Sequence, residues 1–356
     1  MNNTNDYKAL MNQSINVFFK DALKVIYKNP GLTKFILQTI GTQEKAAKRR
    51  AEHDQQGIQV PPYMIISITN RCNLHCKGCY SQAQHRPVEK EIDHNKLRSV
   101  ISEARDLGIS FVFLAGGEPL MRPDILEITR DLPDVIFPLF TNGLLITDEI
   151  IAGLKKQRNV IPVISMEGCQ SETDERRGAG VFARLRETLE KMKKAGILYG
   201  VSFTVSQANF PTLTDEHFID QVSSSGCQLF FYVEYVPVQE STEDMVITDD
   251  QRAALPLILE SFKKKFPALF VSFPGDEEMY GGCLSAGRGF IHISAEGDLE
   301  PCPFAPYSDT NLKNLSLKEA LQSELLAKIR ANHAELTETH GGCALWDKRE
   351  WVKSLL

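Results

Sequence analysis

The sequence predicts an α/β fold built on a mainly parallel sheet, and three observations carry that class. From Tyr63 onward, short β-branched or aromatic runs alternate with polar loops and with stretches whose apolar residues recur at helical spacing. Several of those runs are apolar nearly throughout, as strands are when helices cover both faces of a parallel sheet. The 356 residues exceed one ordinary core and suggest two or three domains, or one barrel with extensions.

Residues 1–60 read as a helical extension. Ile15, Phe18, Phe19, Ala22 and Ile26, then Leu32, Phe35, Ile36 and Ile40, fall at helical spacing, and Pro30-Gly31 divides them into two helices. An apolar stripe of this kind suits docking on the body of the protein, binding a partner, or peripheral contact of residues 15–40 with a membrane surface. The second helix continues into "TQEKAAKRRAEHDQQG". Its basic residues alternate with Glu and Ala, which fits a solvated helix face better than a nucleic-acid site.

Strands are expected at 63–69, 111–115, 137–141, 160–166, 199–205 and 229–236, with helices around 94–107, 124–131, 147–157, 181–195 and 213–224. Six βα units with right-handed crossovers make either a doubly wound sheet or a partial barrel. In both, function collects at the carboxyl ends of the strands. The first four strands are each followed there by an unusual segment: "CNLHCKGC" at 72–79, "GGEPL" at 116–120, "TNG" at 141–143 and "SMEG" at 165–168. All four would converge on one mouth.

A helix over 249–266 follows, and the chain then turns Gly-rich. A small C-terminal unit is expected from about residue 275. It would contain Cys283, a hairpin in "GFIHISAEGDLEPC" turning near Glu296-Gly297-Asp298 and ending at Cys302, a helix around 316–331, and Cys343 in "GGCALW". The expected division is 1–60 helical extension, 61–245 barrel, 246–274 bridging helix and 275–356 C-terminal domain.

Forty Lys and Arg against 46 Asp and Glu leave a net charge of -6, so no global positive field draws nucleic acid, and none is expected as a partner. No basic-then-apolar leader pattern and no apolar run of transmembrane length is present, so a cytoplasmic location is expected. In that compartment eight cysteines read as metal ligands, catalytic thiols or packing residues. Cys169 and Cys227 stand singly and read as packing residues.

The other six cysteines form two groups, 72/76/79 and 283/302/343. Three thiolates spaced four and three residues apart can wrap a multi-iron cluster and leave one metal position without a protein ligand, and soft thiolates select zinc, copper or iron-sulfur. A structural zinc with His75 as fourth ligand is the competing reading for the first group.

"CNLHCKGC" after the first strand and "GGEP" after the second resemble the signature of the radical S-adenosylmethionine (radical SAM) superfamily. The resemblance implies a partial (β/α)6 TIM-like barrel carrying a [4Fe-4S] cluster on Cys72, Cys76 and Cys79. The fourth iron of that cluster would chelate SAM, whose reductive cleavage yields a 5'-deoxyadenosyl radical that abstracts hydrogen from a substrate. Gly116, Gly117 and Glu118 would then approach the methionyl amino group, and Asn142 would reach SAM. Ser165 and Glu167 stand where relatives have Ser-x-Asp-Gly to hold the ribose, Glu167 being one methylene longer than that pattern. Arg177, with Arg176 as its rival, resembles the Arg that pairs with the SAM carboxylate. A non-catalytic iron-sulfur electron carrier or scaffold is the alternative class, and it would need no SAM pocket.

The C-terminal segment resembles the auxiliary-cluster extensions called SPASM and, in shorter form, twitch: Cys283, a hairpin, then Gly297-x4-Cys302. Three cysteines imply at most one auxiliary [4Fe-4S] cluster on Cys283, Cys302 and Cys343, with His340 or Asp347 as a fourth ligand or an open iron. Zinc on those cysteines and His340 is the alternative. The family implies a flavodoxin- or ferredoxin-type electron donor and a peptide, protein side chain or small molecule as substrate. No winged-helix leader-binding domain is evident in the first sixty residues.

Overall fold

A computed structural model describes residues 6–28, 30–274, 280–336 and 343–356. Nine strands among the described residues form one curled sheet: β1 (Tyr63–Ser67), β2 (Phe111–Ala115), β3 (Phe137–Thr141), β4 (Val160–Met166), β5 (Gly200–Val205), β6 (Leu229–Glu234), β7 (Leu269–Phe273), β8 (Phe290–Ile293) and β9 (Leu299–Glu300). Their order is β7-β6-β5-β4-β3-β2-β1-β8-β9, and every pair is parallel except β8 with β9. This is the partial TIM-like barrel, in α/β class, that the resemblance implied.

Period-two alternation sorts the strand residues into two layers. Met64, Ile66, Leu114, Phe137 and Phe203 face outward into the surrounding helices and are wholly buried. Phe111, Ile161, Val163, Leu229 and Phe231 face inward and form a second cluster with residues of α1 (Asp6–Lys28). The crossover helices begin as their sequences direct. Asp93 accepts from Lys96 N at 2.8 Å to cap His94–Leu107, and Thr248 with Gln251 closes a capping box on Asp249–Lys265.

Two features of the sheet lie outside the six predicted strands. "LFVSF" forms β7 beside β6, within the 246–274 segment expected as a bridging helix. The predicted hairpin appears as β8 and β9, with Gly297 at φ +90, but β8 is hydrogen-bonded in parallel to β1, from Tyr63↔Phe290 to Ile66↔Ile293. Each is short, and a four- or five-residue apolar run gives no periodicity that distinguishes it from a buried turn. The helix expected at 316–331 is broken into Leu317–Ala320 and Glu324–Ala331, because Ser323 caps the second piece by accepting from Leu326 N.

The apolar stripe of the extension docks. Met11, Ile15 and Phe19 of α1 pack on Phe111, Ile161 and Leu229 at the amino-terminal ends of the strands, closing the bottom of the half-barrel. Ala22, Val25, Leu32 and Ile36 join α1 to α2 (Thr33–Gln55). The side chain of Ile26 lies outside the described residues. The basic run is only partly a solvated face. Arg50 is buried, donating to Gly108 O at 2.7 Å and to Asn12 Oδ1 at 3.1 Å, and burial lowers its pKa to about 10. No helix among the described residues is long and apolar enough to cross a membrane.

Candidate active site at the barrel mouth

The carboxyl end of β1 runs into the cysteine loop, which is held from several sides. Gly117 N donates to Thr69 O and Glu118 N to Arg71 O, both at 2.7 Å, so the loops after β1 and β2 pair like short strands. A Cβ on Gly116 would lie 2.4 Å from Thr69 O, and one on Gly117 would lie 2.1 Å from Arg71 O. Glycine is therefore demanded at both positions by the neighbouring backbone. Farther along the loop, Lys77 N donates to Arg176 O, Gly78 N to Gln239 Oε1 and Gln82 Nε2 to Leu74 O. Gly78 also lies against the Tyr235 ring, where a Cβ would sit 2.4 Å from the phenol oxygen.

Glu118 is fully buried. Its Oε1 accepts from Leu120 N at 3.0 Å and Thr141 Oγ1 at 2.7 Å, and its Oε2 accepts from Asn142 N at 2.7 Å. Burial pushes its carboxyl pKa up, while the bonds from Thr141, Asn142 and Leu120 pull it down. Asn142 in turn donates from Nδ2 to Asn73 Oδ1 of the cysteine loop at 2.7 Å. The segments "CNLHCKGC", "GGEP" and "TNG" thus meet in one bonded unit.

On the opposite wall, the buried Glu167 Oε1 accepts from Arg176 Nη1 at 2.5 Å and from Arg177 Nε and Nη2 at 2.8 and 2.5 Å. Its Oε2 takes Thr204 N at 3.3 Å. The two arginines weighed as rivals share one carboxylate, and Arg177 Nη1 stands 4.0 Å from Cys76 Sγ. Burial would lower the Arg177 pKa, but Glu167 and the thiols raise it, so the guanidinium stays charged. Burial pushes the Cys72 and Cys76 thiols up, and Arg177 and Arg176 oppose that at Cys76. Ser165 faces the barrel interior near the same arginines.

The second thiol group reaches the same cavity. Cys72, Cys76, Cys79, Cys283, Cys302 and Cys343 all line it. Cys302 is buried and its thiol is pushed well up, first by the hydrogen bond shared with Cys343 and then by burial. Asp347 lies one helical turn past Cys343, and His340 falls outside the described residues. Among the described residues no three His, Cys, Asp or Glu side chains converge on a point that one metal ion would occupy. A single zinc draws its donors onto one point, whereas an iron-sulfur cluster takes one thiolate per iron. Three thiols in each group face one cavity, a donor set that suits a cluster taking one thiolate per iron, and Arg176 Nε, buried without a hydrogen-bond partner in the wall, adds a donor free for a bound group.

Several neighbours carried no sequence signal. Tyr80, directly after Cys79, is half-buried near Cys79 and Cys302, and its hydroxyl bonds Ser67. Ser67 Oγ shares a 2.9 Å hydrogen bond with His292 Nε2, His292 Nδ1 lies 2.7 Å from Glu300 Oε2, and Arg86 Nη2 donates to Glu300 Oε1 at 2.5 Å. These residues are scattered over more than two hundred positions, and only the β1–β8 pairing brings them together. Of the two cysteines read as packing residues, Cys227 is buried, with its pKa pushed up to about 12 by burial. Cys169 is exposed instead, because it occupies the N-cap position of the helix Gln170–Arg177. All eight thiols are unbridged.

Residues 66–222 match the Radical SAM superfamily. The chain is 27% identical over 82% of its length to an AdoMet-dependent heme synthase of Methanosarcina barkeri, covering 89% of that protein. It is 28% identical over 73% of its length to the mycofactocin maturase MftC of Mycobacterium ulcerans, covering 73% of it. In fold it is similar to Streptococcus suis SuiB bound to S-adenosylmethionine, with a TM-score of 0.65 at 19% identity over 81% of this chain and 72% of that one. SuiB is also known bound to its precursor peptide SuiA, with a TM-score of 0.63 at 19% identity over 85% of this chain and 74% of that one.

Proposed function

We propose, on the premise that this chain belongs to the radical SAM superfamily and is an enzyme using a [4Fe-4S] cluster and S-adenosylmethionine, that Cys72, Cys76 and Cys79 hold the cluster. The observation that carries the assignment is the bonded unit in which the cysteine loop, Gly116–Glu118 and Asn142 meet at the carboxyl end of the half-barrel. When bound, the cluster and SAM together supply a 5'-deoxyadenosyl radical able to take hydrogen from an unactivated carbon.

The chain's own residues then bind and orient. Gly116 and Gly117 bring the second loop against the first, and Glu118 fixes the Thr141–Asn142 turn so that Asn142 faces the cysteine loop. Glu167 holds Arg176 and Arg177 in the opposite wall, where charged guanidinium groups suit a carboxylate of SAM, and Ser165 and Glu167 would contact its ribose. Cys283, Cys302 and Cys343 would hold an auxiliary [4Fe-4S] cluster facing the same cavity, supported by their shared lining of it. Thiolates kept as cluster ligands call for a reducing compartment, so we place the enzyme in the cytoplasm, served by a flavodoxin- or ferredoxin-type donor.

Anaerobic reconstitution with iron and sulfide, followed by SAM and dithionite, tests the assignment. The intact protein should release 5'-deoxyadenosine, and the Cys72→Ala, Cys76→Ala, Cys79→Ala triple variant should release none. A fully loaded wild-type protein that leaves SAM intact would overturn it.

A further inference from the structure

We propose that the interior of the half-barrel holds a long aliphatic chain, so that the substrate worked on at the thiol-lined mouth is a lipid-type molecule. The proposal deepens the radical SAM reading, on which it rests for the bond attacked, but the chain-binding property stands on its own observations.

The interior is not filled. A closed eight-stranded barrel packs its axis with branched side chains. Here a cavity of about 950 Å³ runs from the cysteines down to α1. The contrast between the two faces of the strands marks it. Outward residues such as Met64 and Phe203 are completely buried, yet inward Tyr63, Ile65, Phe113, Phe140 and Val271 are only half-buried, and Phe273 is 39% exposed. Beyond the ring contacts that the aromatic ones make with one another, these side chains border the cavity.

The wall of that space changes along the barrel axis. Along β4 the inward positions read Ile161, Val163 and Ser165, and along β1 they read Tyr63, Ile65 and Ser67. Polar groups and thiols therefore collect at the mouth, hydrocarbon lines the middle, and polar side chains such as Gln13, Thr39 and Gln228 return at the floor. Phe113, Phe140, Phe231 and Phe273 form a connected set of rings in the middle, with centroids 5.2 to 6.4 Å apart. Phe18 and Phe19 of α1 continue it at the floor. A peptide threaded there would leave its backbone N–H and C=O groups without partners, a cost that a hydrocarbon chain does not incur. The whole cavity, including the mouth assigned to the cluster and SAM, stands at the upper end of small-molecule sites, about 300–1,000 Å³, and the chain takes the part below the thiols. A second cavity shares Val17 and Asp21 of α1 and Glu260 and Lys263 of the helix Asp249–Lys265 with the floor of the first. An aliphatic C–H at the mouth is the kind of bond that ordinary acid-base chemistry leaves untouched, which matches the radical chemistry assigned to the thiols.

The test uses the full-length protein without iron or SAM, so that it is read independently of enzyme activity. Displacement of the fluorescent C18 acid cis-parinaric acid is measured with saturated fatty acids of increasing length, with geranylgeraniol, and with an apolar octapeptide. Affinity for the acids should rise about fourfold per added methylene until the cavity is full. Val271→Trp, which places an indole in the space, should weaken binding at least about tenfold while its circular dichroism and melting stay those of wild type. Should that variant melt early, Ile65→Trp from another strand gives the same reading. Displacement by the acids or by geranylgeraniol supports the proposal and separates an acyl from an isoprenoid source. Displacement by the peptide alone, absence of any length dependence, or equal binding by both filled variants overturns it. Failure to release 5'-deoxyadenosine would instead count against the radical SAM assignment and leave these binding outcomes intact.

Discussion

Replacing Glu118 by Gln should loosen the mouth of the barrel by an amount the geometry sets. The carboxylate takes two bonds on Oε1, from Leu120 N and Thr141 Oγ1, and one on Oε2, from Asn142 N. A glutamine oriented to keep the first two turns its NH2 toward Asn142 N, donor against donor. The bond lost there was to a charged acceptor, worth about 1.5–3 kcal/mol, and the buried N–H left behind costs about 1–3 kcal/mol more. The flipped orientation is worse, because the NH2 then meets Leu120 N donor against donor and takes away the acceptor of the Thr141 hydroxyl. Relief of the buried charge offsets part of the loss, since burial is what pushes the Glu118 carboxyl up. The net expectation is a destabilisation of about 2–4 kcal/mol, or a fall in Tm of roughly 3–5 °C, in the iron-free protein. Differential scanning fluorimetry on apo wild type and E118Q reads the shift, and iron analysis after reconstitution reads its consequence for the cysteine loop. A Tm within about 1 °C of wild type together with full iron loading would refute the reasoning, because the three bonds would then contribute nothing net.

Gly117→Ala places a methyl against the Arg71 carbonyl, so the two loops must part, and iron bound after reconstitution should fall below about half of wild type by colorimetric assay. The Cys283→Ala, Cys302→Ala, Cys343→Ala triple variant should lower iron from roughly eight to roughly four per chain while 5'-deoxyadenosine release persists; unchanged iron, or zinc in its place, would remove the auxiliary cluster. Asp174 accepts from Phe182 N at 2.8 Å and Gly180 N at 3.1 Å at the start of the helix Val181–Ala195, and these bonds hold its carboxyl below the ordinary range. Its stabilisation is therefore present above the ordinary Asp pKa and is lost as pH falls through the lower folded value. Asp174→Asn should flatten that part of the acid limb in a circular-dichroism titration, and an unchanged limb would show that the contact is not felt.

Much of the fold was legible because its signals are local. The helix at 94–107 has its Asp cap, its Gly108 stop and an apolar face, and its predicted bounds match the observed ones. The strands β1 to β6 were visible as apolar runs flanked by turn residues. The mouth was legible for a different reason: cysteines and glycines at fixed spacing directly follow the first two strands, and topology carries such positions to one end. What escaped was long-range pairing. Nothing near "FIHI" says that it will lie beside Tyr63–Ile66, so the Ser67, His292 and Glu300 chain could not be assembled from the sequence. The partnership of Glu167 with both arginines was hidden likewise, because a composition pattern does not say where three charged side chains will point. Cys169 shows the opposite limit: a lone cysteine resembles a packing residue until the helix that begins after it is placed.

The pairing of β8 with β1 also sets a schedule for making the protein. Ser67 and His292, bonded across that pair, are 225 positions apart. On the ribosome, at about 5–20 residues per second, β1 therefore waits roughly ten to forty-five seconds with one flank unpaired. An unpaired flank is a template for another chain. The cysteine loop hangs from the carboxyl end of that same waiting strand, so the segment proposed to receive iron is exposed for most of synthesis. Yield in a heterologous host should depend on how slowly and how oxygen-free the chain is made, and a chain ended before Phe290 would keep the edge of β1 open for good.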